Sequence, residues 1–353
     1  MNVLVTGGAG FVGSNIAIRW KAEHPKDVVY AFDNLRRRGS ELALPRLRKA
    51  GVEFVHGDIR SRSDLESVGT VGLIVECSAE PSVHAGYGDS PEYVIQTNLI
   101  GTINALELAR RERAKLIFLS SSRIYPIDPI RTLPLEREGR RFQIPVGKSG
   151  IGWSRFGLTE NFPLDGHRSI YGATKLASEL LVEEYRHMYG LHTAVNRCGV
   201  LTGPWQMGKV DQGFVVLWAA RHLYGGKLSY MGFGGEGIQV RDILHVDDLY
   251  ELLCAQVEQR PEQSVYNVGG GLEVSVSLQE ATEQCQRRAG RQIEMGKVSE
   301  TRPADIPWYI SDCTRVQHEF VWSPKRTVDV IFDDIFEWLE EHRSDLYPLL
   351  GPN

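Results

Sequence analysis

No surplus of positive charge runs through this chain. Its 40 Lys and Arg against 45 Asp and Glu leave a formal net charge of −5 over 353 residues, so no basic field is on offer to nucleic acid or to an anionic membrane surface, and any phosphate has to be met locally. Cysteine is scarce: Cys77, Cys198, Cys254, Cys285 and Cys313 are odd in number and nowhere in CxxC spacing. That excludes a disulfide framework and fits a reducing cytoplasm. The ten histidines form no HxxxH pair or His/Cys cluster, so no metal is expected. No apolar run approaches the ~18 residues of a membrane span, and the strand-like Val3-Leu4-Val5 leaves no room for a signal peptide ahead of it. Internal repeats and low-complexity segments are lacking as well. With 42% hydrophobic and 24% charged residues the composition is globular rather than disordered or coiled-coil, and the length suggests about two folded units at ~150 residues each. The one excess is glycine, 36 residues.

Short β-branched runs alternate with amphipathic stretches. Val3 to Thr6, Val28 to Phe32, Glu53 to His56, Leu73 to Cys77, Leu116 to Leu119 and Thr193 to Arg197 are four to six residues long and read as parallel strands buried on both faces. Helical spacing occupies Phe11 to Glu23, Pro91 to Arg113 and Ser169 to Tyr189. This alternation predicts a doubly wound α/β parallel sheet. From about Gly199 the pattern loosens into Gly/Pro-punctuated loops with one helical return at His245 to Gln256. The expected division gives residues 1–198 and 238–258 to a dinucleotide-binding domain, and 199–237 and 259–353 to a smaller interleaved α/β substrate domain. The stretch from Pro126 to Arg168 shows no periodicity and reads as a long connection, functional or disordered. Trp308, Trp322 and Trp338 read as core of the second domain.

Gly7-Gly8-Ala9-Gly10-Phe11-Val12-Gly13 follows the first strand directly and opens a helix, the setting of a dinucleotide fingerprint. Glycine is needed where the turn is tight and where a Cβ would hold the backbone away from a pyrophosphate. The helix N-terminus then offers free N–H groups and a positive dipole end to the anion. Asp33 follows Gly13 by twenty residues, at the end of the second strand, where a carboxylate accepts from both ribose hydroxyls and repels a 2′-phosphate. NAD is therefore the expected cofactor, with Arg36, Arg37 and Arg38 as a solvated run or, alternatively, as compensation for NADP. Asp58 closes the third strand, either beside the adenine or as a plain strand-end turn.

Tyr171 and Lys175 stand four apart in the first turn of a helix, on one face. A phenol with an ordinary pKa of ~10 becomes a base near neutrality only where cations stabilise its anion, and Lys175 together with an oxidised nicotinamide supplies two. The fifth strand ends in Ser120-Ser121-Ser122-Arg123 and delivers hydroxyls to the carboxyl edge of the sheet, where ligands bind in such folds.

Taken in order, the glycine loop, Asp33-Asn34, Asp58-Ile59, Thr97-Asn98, the serine strand, Tyr171 with Lys175, Arg241-Asp242 through Asp247-Asp248, Arg302-Pro303 and Trp322-Ser323-Pro324 resemble the extended short-chain dehydrogenase/reductases, the nucleotide-sugar epimerases and dehydratases, over nearly the whole chain. The resemblance implies a Rossmann domain and a homodimer built on the helices at Pro91 to Arg113 and Ser169 to Tyr189. It implies that Ser121 is the catalytic hydroxyl, Tyr171 the base, and Lys175 the holder of the nicotinamide ribose. Gly7, Gly10, Phe11, Val12 and Gly13 would cradle the NAD pyrophosphate, with Cys77, Ser78, Ala79 and Asn98 along its inner half. Arg241 and Arg302 would clamp the diphosphate of a nucleotide-diphosphate sugar, a role suited to guanidinium geometry.

Dehydratases of that family place an Asp-Glu pair beside the catalytic hydroxyl, where this chain has Ser122-Arg123. No acid and base stand ready there for loss of water. What remains is oxidation and return of hydride to the other face, an epimerisation. Asn196 to Gln206, Val210 to Phe214 and Gly237 to Asp242 resemble the members that act at C2 of CDP-linked dideoxyhexoses. On that resemblance Asp211, Gln212 and Arg123 are the candidates for contacts to the nucleotide or the sugar. His84 is a further candidate for the sugar, and His245 reads as a capping residue.

Overall fold

The computed structural model describes residues 1–209 and 212–352; Asp211 lies outside them. Strands β1 (Asn2–Thr6), β2 (Val28–Asp33), β3 (Glu53–His56), β4 (Leu73–Glu76), β5 (Lys115–Ser121), β6 (Thr193–Cys198) and β7 (Val265–Val268) form one sheet in the order β7-β6-β5-β4-β1-β2-β3. Every pairing in it is parallel. The chain winds one way from β1 to β3 and the other way from β4 to β7, so a crevice opens between β1 and β4 at the carboxyl edge. β4 and β6 are buried throughout, whereas β3, at the edge, exposes Glu53 and His56.

Helix α1 (Phe11–Glu23) follows β1 as its spacing predicts. The helical stretch from Glu92 runs into a π turn at Gln96–Ile100 before continuing as α2 (Gly101–Glu112). Helix α3 (Ile170–Tyr189) is capped by the Ser169 hydroxyl, which accepts from the Gly172 N–H, and stops at left-handed Gly190. Helix α4 (Val246–Glu258) packs on α1 and on β5.

The seventh strand was not legible. The expected boundary at residue 259 cuts through the sheet, because Val265–Val268 pairs with β6. Four residues between a helix end and a glycine cluster give too short a run to show a period. The same holds for the tryptophans. Trp322 joins the core under the main sheet and donates its indole N–H to the Asp248 carbonyl at 2.9 Å, while Trp338 lies in the second domain's core and Trp308 in a third cluster.

Residues 126–168 form an ordered insertion rather than an irregular connection. It holds a short helix (Ile127–Arg131), a hairpin (Glu136–Glu138 with Arg141–Gln143) and a three-stranded meander (Ser149–Gly150, Trp153–Ser154, Gly157–Leu158). Each turn buries one or two apolar residues, so no period accumulates in the sequence. Ile127, Ile130, Ile144, Leu158 and Phe162 gather with Tyr125, Trp308 and Tyr171 in one cluster. The insertion is therefore the wall behind the phenol.

A buried ionic network ties these parts together. Arg197 of β6 donates to Glu179 Oε2 of α3 from Nε at 3.0 Å and Nη2 at 2.8 Å. Ser120 of β5 donates to the other Glu179 oxygen. Arg197 also donates to the Tyr125 hydroxyl at 3.2 Å, which in turn donates to Asn267 of β7 at 2.7 Å. Glu179 is 3% exposed and Arg197 5%. Removing one partner leaves the other charge buried and uncompensated, so Glu179→Ala is expected to lower the unfolding free energy by about 3–5 kcal/mol, measured as a fall in the urea midpoint.

Candidate active site

One cavity of about 1050 Å³ runs along the carboxyl edge of the sheet from the glycine loop to the second domain. At one end Gly7 adopts φ +62°, and α1 begins at Gly10 with no side-chain cap, leaving the N–H groups of its first turn open. A Cβ on Gly13 would lie 2.2 Å from the Gly7 carbonyl, whereas one on Gly10 would meet only that carbonyl, at 3.0 Å. Gly13 is small because of packing. Gly10 is small because the space in front of it is the cavity.

Asp33 is held on the cavity wall by two backbone donors, Ala9 N–H to Oδ2 at 3.1 Å and Leu35 N–H to Oδ1 at 2.7 Å. Burial pushes its carboxyl up, and those backbone hydrogen bonds oppose the shift. Asn34 and Ile59 line the same end. Asp58 does not line the cavity. It accepts from Asn34 at 3.0 Å and from Arg60 at 2.9 and 2.7 Å, and Arg60 holds its carboxyl well below the usual range. The arginines after Asp33 are not a uniformly solvated run. Arg36 lies over the Tyr93 ring at 3.9 Å, and Arg37 donates to Gln212 and to the Met207 carbonyl. Arg37 thereby joins the adenosine-side loop to the second domain and brings Gln212 to the cavity.

Cys77, Ser78 and Ala79 line the middle of the cavity together with Thr97. Asn98 sits one layer behind them, fully buried, clasping the Glu80 backbone through Oδ1 at 2.8 Å and Nδ2 at 3.1 Å. The sequence could not separate these neighbours, because the π turn rotates Asn98 away from the face that a regular helix would give it.

Ser121, Tyr171 and Lys175 all line this same cavity. Ser121 Oγ accepts from the Arg123 N–H at 3.1 Å. Lys175 is 2% exposed and donates to the Leu119 carbonyl at 2.9 Å. Ser122 and Arg123 follow along the wall, and Arg241 and Arg302 face the same space. Burial lowers the Arg123 pKa. Burial, with Arg123 nearby, takes Arg241 down to about 9. Asp305 lies among them. Burial works against its ionisation, but the neighbouring His84 and Arg302 outweigh it and hold the carboxyl well below the ordinary range. His84 lies 3.5 Å from Asp305 and does not line the cavity. His245 caps α4, its Nδ1 accepting from the Asp247 N–H at 3.1 Å. The cavity is also lined by Phe214, Leu217 and Trp218 of the helix Phe214–Tyr224 and by Leu228, Met231 and Phe233 on and after the strand Leu228–Met231, apolar positions that no motif in the sequence marks.

The chain carries the pattern of the NAD dependent epimerase/dehydratase family over residues 3–269. It belongs to that family. Along nearly its full length it is similar to CDP-paratose 2-epimerase of Salmonella typhi, 27% identical over 348 residues, covering 96% of this chain and 99% of that protein. It is 32% identical over 252 residues to dTDP-glucose 4,6-dehydratase of Mycobacterium tuberculosis, covering 70% of this chain and 66% of that protein. Among solved structures, dTDP-glucose 4,6-dehydratase of Bacillus anthracis in complex with NAD matches with a TM-score of 0.78 and 27% identity, over 99% of each chain. The cofactor of this enzyme is NAD, and its substrates are nucleotide sugars. The uncapped helix start, the open face of Gly10 and the oriented Asp33 carboxylate fit such a dinucleotide. Gly10→Val is accordingly expected to fold with a melting temperature within a few degrees of the parent and to retain at least ~10-fold less NAD, read by mass spectrometry of small molecules released on heating.

Proposed function

We propose that this family member is an epimerase that inverts C2 of a CDP-linked dideoxyhexose through a transient 2-keto sugar. The observation that supports it best is the wall beside Ser121. Loss of water needs a proton donor and a proton acceptor at adjacent sugar carbons, and the side chains that follow Ser121 are a hydroxyl and a guanidinium, Ser122 and Arg123. The cavity's carboxylates, among the described residues, are Asp33, Glu80 and Asp305. Asp33 belongs to the adenosine end, Glu80 accepts from the Ser82 N–H at 3.2 Å, and Asp305 is engaged by Arg302, with His84 beside it.

Bound NAD supplies the hydride acceptor and donor. The chain's residues manage protons and orientation. Tyr171, as phenolate, takes the proton of the sugar hydroxyl while Ser121 holds that oxygen, and Tyr171 gives the proton back when the carbinol is re-formed. Lys175 holds the ribose and favours the phenolate. Arg241 and Arg302 clamp the diphosphate, so the sugar turns about a fixed anchor and presents its other face. Arg123 contacts the sugar end, and Gln212 contacts the nucleotide or the sugar. The full-length similarity to a CDP-paratose 2-epimerase supports the base and the carbon. We place the enzyme in the cytoplasm, as its five free cysteines suit, and as a homodimer through α2 and α3, where Leu180 and Met188 stand 59% and 65% exposed on one helix face.

In deuterated water, purified enzyme with CDP-paratose is expected to give the C2 epimer with no deuterium at C2. Inversion at C4, net consumption of NADH, or deuterium at C2 in the NMR spectrum would each replace this reading. Tyr171→Phe is expected to lower turnover by ~10²–10⁴-fold.

A further inference from the structure

A carboxyl group stands beneath the catalytic lysine, and the proposed chemistry gives it no part. Glu76 is the last residue of β4, directly before the cofactor-lining Cys77, and it is wholly buried. Its Oε1 accepts from the Ser78 N–H at 3.1 Å and from the Thr6 hydroxyl at 3.4 Å. Its Oε2 has no hydrogen-bond partner among the described residues and lies 4.0 Å from Lys175 Nζ. Lys175 is itself buried, with one carbonyl and the face of the Phe118 ring as its other neighbours. A buried ammonium is costly unless a charge of opposite sign accompanies it, and so is a buried carboxylate.

We propose that Glu76 is a positioning residue of this enzyme, the buried counter-charge of Lys175, which limits how strongly Lys175 favours ionisation of Tyr171. The inference rests on the reading of Tyr171 and Lys175 as base and activator. With Glu76 ionised, the pair carries no net charge and its field at the phenol is small. Arg123 is a further cation within electrostatic reach of the phenol; it is present with and without the charge on Glu76, so the difference that Glu76 makes is read against it. The other groups around Glu76 do not upset this balance. Thr6 on β1 and Phe118 on β5 are uncharged, and burial pushes the thiols of Cys77 and of Cys198 on β6 upward, which keeps them neutral. Burial, the larger effect, pushes Glu76 upward, and the charge of Lys175 with the hydrogen bonds from Ser78 and Thr6 opposes it. Lys175 is the charged neighbour acting on it.

Glu76→Gln keeps the size and the acceptor for Ser78 but removes the charge. The test is ultraviolet titration of the phenol in NAD-free protein, taken as the difference between each protein and its own Tyr171→Phe version. The Tyr171 phenolate is expected to form at a pH lower by about one unit in the Gln variant. In the NAD-loaded enzyme the acid limb of the turnover profile is expected to move the same way. A phenolate curve that stays in place, or moves up, overturns the inference. If Glu76→Gln does not fold, Glu76→Gln with Lys175→Met removes both charges at once; recovery of folding upholds the pairing and continued unfolding overturns it. Full turnover by Tyr171→Phe alone would instead defeat the reading of Tyr171 as base, an outcome distinct from an unmoved titration.

Discussion

The charged pair between Glu179 on α3 and Arg197 on β6 is the interaction on which the site depends. Tyr171 and Lys175 are only as well placed as their helix. The pair fixes α3 two turns beyond Tyr171, against the strand next to the edge of the sheet. Its partners then spread the constraint. Ser120 pins the strand that carries Ser121, and Tyr125 pins the turn that carries Arg123. Proton-transfer geometry is set within a few tenths of an ångström, and buried charge-assisted hydrogen bonds, short and directional, hold groups to that tolerance.

The site's two ends use different physics. At the glycine-loop end the cavity offers backbone, with an uncapped helix, a glycine that opens onto the cavity and a carboxylate held by two peptide N–H groups. At the far end it offers guanidinium groups, where burial and the neighbouring Arg123 lower the proton affinity of Arg241 and Asp305 is a local counterweight. In a chain with net charge −5, which offers anions no general attraction, this cluster is a local concentration of positive charge.

Much of this was readable from residues alone. The glycine loop, Asp33, the serine strand and the Tyr171 and Lys175 pair fall on sheet edges and helix starts, where local sequence dictates local geometry. The illegible parts are those where distant segments decide. Val265–Val268 is a strand because β6 has an open edge. The insertion at 126–168 is ordered because its scattered apolar residues find Trp308 and Tyr309 from far along the chain. Asn98 turns inward because of a π turn, and Arg37 leaves the solvent because Met207 and Gln212 come within reach of it. Periodicity and motif spacing carry none of this information.

The late arrival of β7 has a consequence for biosynthesis. Asn267 is the acceptor for Tyr125 and donates to the Leu158 carbonyl at 2.8 Å, so one side chain near the third quarter of the chain completes both the ionic network and the insertion. A nascent polypeptide emerging from the ribosome displays an unpaired β6 edge and a catalytic helix without its final brace until that residue clears the exit tunnel. At ~5–20 residues per second, this interval lasts several seconds, and during it the half-made protein is most exposed to chaperones and to aberrant strand pairing.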